Sequence, residues 1–446
     1  MAAMIAARDP FGNPLQVQRE ASVAAIAGFV EGFLGYTPRV LEVLDSAEHD
    51  PSLIVQAAAA VLWMFSESPA GPPKARAHLE RAAAAALPAT ERERLFAHAV
   101  AQWVDADLGG ALATHELLAR EHPRDLASLK LGQVHAFNLG DSPTMLRLAL
   151  HAAPAAQDIA WMHGLLAFGH EQCHRLDAAE HEARFALAMR PAEPWAQHAL
   201  AHVMLTDGRL AEGAAFMARV SAQWQGLTSF MRCHNWWHLA LFELELGHDA
   251  AALALYDREV WGVDKSYSQD QVGAVSLLAR LELAGVDVGA RWDELALWLA
   301  GRSADQVQPF LDMQYLYGLA RAGRPEADTL MANIEAFAPH SPAAAREAWL
   351  RVAVPACRGL LAHARGRWSE AADQLEQALP RLASIGGSHA QRELFEQIHV
   401  DALQRSGRFA AVQNLLQPRA NAQPQSVRRR RRLAAGDAAL GLPPAG

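Results

Sequence analysis

Glycine-centred breaks recur along this 446-residue chain and limit what it can fold into. Between them the sequence repeats one pattern: an apolar-periodic stretch of about four turns, a break, then a second Ala-rich amphipathic stretch. The breaks are Leu108-Gly109-Gly110, Leu139-Gly140-Asp141, Asp207-Gly208-Arg209, Leu246-Gly247-His248, Ala322-Gly323-Arg324, Arg365-Gly366-Arg367 and Ser406-Gly407-Arg408. Each falls where a helix C-cap favours glycine. Small residues follow most of them, as in Ala211-Glu212-Gly213-Ala214-Ala215, Ala250-Ala251-Ala252 and Glu370-Ala371-Ala372, and these let neighbouring helices lie close. From Arg175 to Arg209 is 34 residues, from Arg209 to His248 is 39 and from Arg367 to Arg408 is 41. An irregular but bounded period of this size predicts an all-α fold, a right-handed solenoid of degenerate helical hairpins.

The unit from about Ala160 to Pro191 comes nearest to a tetratricopeptide repeat. Ala179, Ala186 and Pro191 occupy that motif's small, small and proline positions, while His163 and His170 stand at its Trp and Tyr positions. Residues 1–21 read as a lead-in, with Asp9-Pro10-Phe11-Gly12-Asn13-Pro14 rich in turn formers. About eleven helix pairs fill 22–418, and no Gly- or Ser-rich linker divides them, so one continuous tetratricopeptide-like solenoid is expected there. Residues 419–446 lose the apolar period and carry Arg428 to Arg432 before a Gly/Pro-rich end. They read as a loose basic tail with room for one short helix. Its arginines suit a solubilising helix end or a patch docked on the acidic body, and otherwise an acidic partner or membrane surface.

Composition excludes several function classes. Formal net charge is −9, and without the five consecutive arginines it would be −14, so no surface is expected to track a nucleic-acid backbone. The longest apolar run, Ile54 to Phe65, contains Gln56 and is too short to span a bilayer. The first eight residues lack the features of a signal peptide. Cys173, Cys233 and Cys357 are odd in number and in no metal-finger spacing, which fits a reducing compartment. A cytoplasmic, soluble protein is the expectation.

Two histidine pairs stand out against this background: His198 with His202, and His234 with His238 inside Cys233-His234-Asn235-Trp236-Trp237-His238. Four-residue spacing puts each pair on one side of its own helix. In a tetratricopeptide-type array first helices line the concave surface, so His163, His198, His202, His234 and His238 would come from three consecutive units and meet there.

Together with those pairs, His163-Gly164, Phe168-Gly169, Tyr256-Asp257, Arg291-Trp292 and Ile385-Gly386-Gly387-Ser388-His389-Ala390-Gln391-Arg392-Glu393-Leu394-Phe395 give the chain a pattern that resembles the tetratricopeptide repeat protein 38 family over about 158–395. The resemblance implies an α-helical repeat body with degenerate units and brings no reaction with it. Gln314 stands where that pattern has histidine, and His389 where it has asparagine.

Three readings of the histidines compete. They can be structural, each ring donating at one nitrogen and accepting at the other. They can bind metal, with His198, His202, His234 and His238 offering up to four nitrogens to zinc or another divalent ion, although neither pair encloses a glutamate. They can also form a metal-free site in which one histidine is a general base and Asp270, Arg291 or Arg392 steadies an anionic ligand. No cofactor is required by any motif. Cys233 reads as a buried thiol rather than a nucleophile, since its neighbour His234 points about 100° away on a helix. Ser388 reads as the N-cap of the next helix, ahead of an anion-binding turn. The resulting expectation is a binding protein whose concave face holds a His- and Trp-lined pocket for a peptide segment or polar small molecule. Its ligand-binding candidates are His163, His198, His202, His234, Asn235, Trp237, His238, Asp270, Arg291 and Arg392. The alternative is an enzyme that uses the same pocket for His-based acid/base or metal-assisted chemistry.

Overall fold

The computed structural model describes residues 4–443, and most of the breaks end helices as their chemistry requires. At Gly208 and Gly247, φ is +73° and +83°, a left-handed conformation that glycine adopts without steric cost. The next residue then closes the helix: Arg209 N–H donates to Met204 O at 2.9 Å and His248 N–H to Glu243 O at 2.8 Å. Gly109-Gly110 departs from the expectation. The left-handed residue there is Ala106, at φ +60°, and both glycines lie in the first turn of the following helix. Asp107 caps that turn by accepting from Gly110 N–H, and a Cβ on Gly110 would sit 2.2 Å from the Asp107 carboxylate. A side chain at Gly110 would therefore have to displace the Asp107 and Gln102 side chains.

Contacts divide the chain into two compact units. The first reaches Leu200 and includes Gly226–Thr228; the second holds Ala201–Gln225 and the chain from Ser229 onward. The first opens with an antiparallel hairpin, β1 (Ile5–Arg8) on β2 (Pro14–Val17), so the 1–21 lead-in is more ordered than its turn formers suggest. Its turn is fixed by Asp9, which accepts from Phe11 N–H and Asn13 N–H at 2.9 Å. The helices follow as α1 (Glu20–Gly35), α2 (Glu42–His49), α3 (Leu53–Met64), α4 (Gly71–Ala85), α5 (Glu91–Val104), α6 (Leu108–Glu121), α7 (Leu126–Asn138), α8 (Ser142–Ala152), α9 (Ala160–Gln172) and α10 (Leu176–Met189). Helix α11 (Pro194–Thr206) is continuous through the division. In the tetratricopeptide-like hairpin α9/α10, Ala179, Ala183 and Ala186 are fully buried, which lets α10 lie against α9.

In the second unit the helices are α12 (Leu210–Val220), α13 (Ser229–Leu246), α14 (Asp249–Leu255), α15 (Ser268–Leu283), α16 (Arg291–Leu299), α17 (Pro309–Arg321), α18 (Glu326–Phe337), α19 (Ala343–Ala348), α20 (Val354–Ala364), α21 (Trp368–Ala378), α22 (His389–Arg405), α23 (Phe409–Ala422) and α24 (Val427–Ala439). Successive hairpins stack, so the fold is all-α and solenoid-like, built of tetratricopeptide-like pairs. Gly213 shows how close they come: a Cβ there would lie 2.3 Å from the Phe242 ring. Among the described residues no helix is long and apolar enough to cross a membrane.

One expectation needs correcting. Helix α23 continues through Pro418, because Leu416 and Ala420 on either side are buried in an apolar cluster with Val412 and Leu433. Beyond it, the 419–446 segment is helical as far as Ala439 and docked rather than loose. Gln423 donates to the last carbonyls of α11, Leu205 O at 2.8 Å and Thr206 O at 3.1 Å, while Gln425 accepts from Leu210 N–H at the start of α12. Arg428 then inserts its guanidinium against Glu245, donating through Nε at 2.9 Å.

The inner helices of this unit are deeply buried. Every residue of α17 from Pro309 to Ala320 is buried, and α15 is buried along nearly its whole length. Helix α22 packs on α15, and α24 packs on α13. Helices α15 and α17 are thus largely enclosed by their own chain.

Candidate functional site

Helix α11 carries His198 and His202 one turn apart, and α13 carries His234 and His238 in the same relation. One ring nitrogen from each of the four lies within 4.8 Å of the others. His202, His234 and His238 belong to the second unit, and His198 is one turn earlier on the helix of His202. His198, His202 and His238 are at most 1% exposed. The rings are held by aromatic packing. His202 meets His238 edge-on with centroids 4.5 Å apart, His234 meets His238 at 4.8 Å, and the Trp237 ring stacks on His234 at 5.2 Å and 12°. Phe230 stacks on the His234 ring at 5.3 Å, and Trp195 stacks on His198 at 4.5 Å. These contacts pack the imidazoles against one another and against their aromatic neighbours.

Burial sets the electrostatics. It pushes the His234 imidazole down to about 3, with His202 adding to the effect, because an apolar enclosure disfavours imidazolium. Asn235, on the same turn, is fully buried, and its amide makes no hydrogen bond to any described residue. The Trp237 indole N–H is likewise unbonded. Buried polar groups left this way cost about 1–3 kcal/mol each.

Other candidate residues lie elsewhere. His163 belongs to its own hairpin: Nδ1 meets Glu182 of α10 at 2.7 Å, Nε2 meets Gln157 O at 3.0 Å, and the ring packs on Phe185. Asp270, at the start of α15, accepts from the Cys233 thiol at 3.7 Å. Burial raises its carboxyl to about 7, and it is not in the imidazole group. Burial and Asp270 together push the Cys233 thiol well up, which leaves it a poor nucleophile. Arg291 forms a two-pronged ion pair with Asp257 at 2.7 and 2.8 Å. Arg392 donates to the carbonyls of Gly386 and Gly387 and meets His389 Nδ1 at 3.2 Å. That turn therefore presents its carbonyls to an arginine, and Ser388 with Gln391 forms a capping box at the start of α22.

A second polar cluster, which motif reading did not find, sits at the other end of α13. Glu245, Arg280, Glu393 and Arg428 line a small cavity with Leu205, Leu241 and Leu244. Glu245 accepts from both Ser426 and Arg428, and Glu393 accepts from Arg429 at 2.6 Å. Arg280 donates to Ala390 O at 2.6 Å and lies 5.4 Å from the centre of the Trp237 ring, so the same tryptophan touches both clusters. The run Arg428–Arg432 was the one signal that could have revealed this cluster, through the acidic body it faces.

No known family profile matches the chain. Among solved structures it is similar to a chain in a complex described as "Structure of Naa15/Naa10 bound to HypK-THB", at 15% identity, with 79% of this chain and 61% of that chain covered and a TM-score of 0.25. This protein thus spans less than two thirds of the length of that neighbour.

Proposed function

We propose that this is a helical-repeat binding protein that holds a small polar ligand in the imidazole site between α11 and α13, and that it belongs with the tetratricopeptide repeat protein 38 family. The observation that carries the binding reading is the convergence of four histidine nitrogens within 4.8 Å beside an Asn235 amide whose hydrogen-bonding capacity is unused. A buried amide in a purely stabilising position is ordinarily bonded or replaced by an apolar group. Enclosure favours a small species over a peptide, since His198, His202 and His238 are at most 1% exposed. The family placement rests on sequence motifs: the Cys233–Leu241 block builds one wall of the site, and the Ile385–Phe395 block supplies the capping box of α22. Cys173, Cys233 and Cys357 are all free thiols, in keeping with a cytoplasmic setting.

Acid/base catalysis has less support. An imidazole held near 3, as His234 is, is a weak base at neutral pH.

Native mass spectrometry of the untagged protein, before and after acid denaturation, tests the reading. The native species should exceed the sequence mass by a releasable ligand, and Trp237→Ala should lose it. A native mass equal to that of the bare chain, unchanged by this substitution, would refute it.

A further inference from the structure

We infer that the imidazole site is a closed four-histidine site for one zinc ion, with His198 and His202 of α11 and His234 and His238 of α13 as ligands. This rests on the binding reading above and names its ligand. The geometry is close to what the metal needs. Zn–N bonds of about 2.0–2.1 Å place the nitrogens of a tetrahedral site about 3.3 Å apart, and here all four lie within 4.8 Å of one another. Small ring rotations close that gap. Two pairs with i, i+4 spacing on neighbouring helices approach a point from two directions, which suits a tetrahedron better than the square plane preferred by copper(II).

Donor chemistry narrows the choice. The group consists of nitrogens alone: no carboxylate belongs to it, so magnesium, calcium and manganese lack their preferred oxygen donors. The nearby thiol is engaged elsewhere, Cys233 Sγ donating to Asp270, so the softest ions lack sulfur. A borderline ion that accepts four imidazoles remains. Stacking by Trp195 and Trp237 fixes two of the rings before any ion arrives, as supporting groups commonly do around metal ligands. Four protein ligands leave no position for water or substrate, so the ion clamps α11 to α13 and activates nothing.

The test uses the full-length untagged protein, purified without chelator, and again after stripping and titration with zinc alone or cobalt(II) alone. Elemental analysis should find about one zinc per chain, and cobalt should give the intense visible bands of a tetrahedral site. His202→Ala and His238→Ala should each weaken zinc binding more than tenfold, and His202→Gln provides a milder variant if alanine prevents folding. His163→Ala, whose ring is paired with Glu182, should bind zinc as the wild type does. Folded wild-type protein that takes up no zinc and gives no tetrahedral cobalt spectrum would overturn the inference. If an organic ligand is released in that case, the binding reading stands without the metal; if nothing is released, both fall.

Discussion

The two ends of α13 solve the burial of polar groups in opposite ways. At the C-terminal end, Glu245 is 6% exposed, and both of its oxygens are bonded, one by Ser426 and one by Arg428. At the N-terminal end, four imidazoles crowd together and the Asn235 amide has no described partner. Formal charge buried in a protein must be matched by charge, and the arginine helix α24 supplies it. The other end gathers imidazole nitrogens, which can donate or accept without carrying a permanent charge. One end is thus a set of matched charges, and the other is a crowd of imidazoles beside an amide with no described partner. The difference lies in charge and pairing and not in exposure, since both clusters are polar and buried.

The contrast can be broken most forcefully at the paired end. Arg428→Ala leaves Glu245 buried beside Ser426 alone, and we expect a loss of about 3–5 kcal/mol in denaturant unfolding. The double change Glu245→Gln, Arg428→Met should recover most of it. A cost near zero for the single change would mean that α24 is not held by this pair.

A smaller effect is expected with pH. Burial alone would raise the Glu393 carboxyl, but Arg429, Arg428 and Arg280 outweigh it and lower the group from 4.5 to about 2. Its folded value lies below its unfolded one, so its stabilising contribution is full above about pH 4.5 and disappears as pH falls towards 2. Urea unfolding measured across that window should therefore fall more steeply for wild type than for Glu393→Gln. Parallel curves would remove Glu393 from the clasp.

The smallest effect has the opposite sign. Asn235→Leu replaces an unbonded buried amide with an apolar group of similar size, and the ligand-free protein should gain about 1 kcal/mol in thermal or chemical unfolding. A loss as large as that of Arg428→Ala would show that Asn235 serves the fold, and that the two ends of α13 are alike.

Much of the fold was legible. Glycine at Gly208 and Gly247 marks helix ends through backbone conformation, a local property that a sequence displays directly. The same logic misplaced Gly109-Gly110, because there the left-handed residue is Ala106 and the glycines begin the next helix under the Asp107 cap. His163 was hard to assign for a different reason: an inward histidine can serve its own hairpin, and only the Glu182 carboxylate at 2.7 Å distinguishes the two roles. Arg291 and Arg392 were read as possible anion clamps, yet Arg291 pairs with Asp257 just beyond α14, and Arg392 with the carbonyls of its own turn. Sequence gives the chemistry of a side chain but not its competing partners.

The sequence by itself determined the helices, their hairpin order and the pairing of His198 with His202 and of His234 with His238, because these follow from spacing along one chain direction. Tertiary structure alone decided that α22 and α24 return to enclose the inner helices and that Arg428 meets Glu245 across 183 residues. It also brought the two histidine pairs within reach of each other. Those outcomes depend on how α11, α13, α15 and the C-terminal helices pack in space, where the gain from burying apolar surface and pairing charge is shared among segments far apart in the chain.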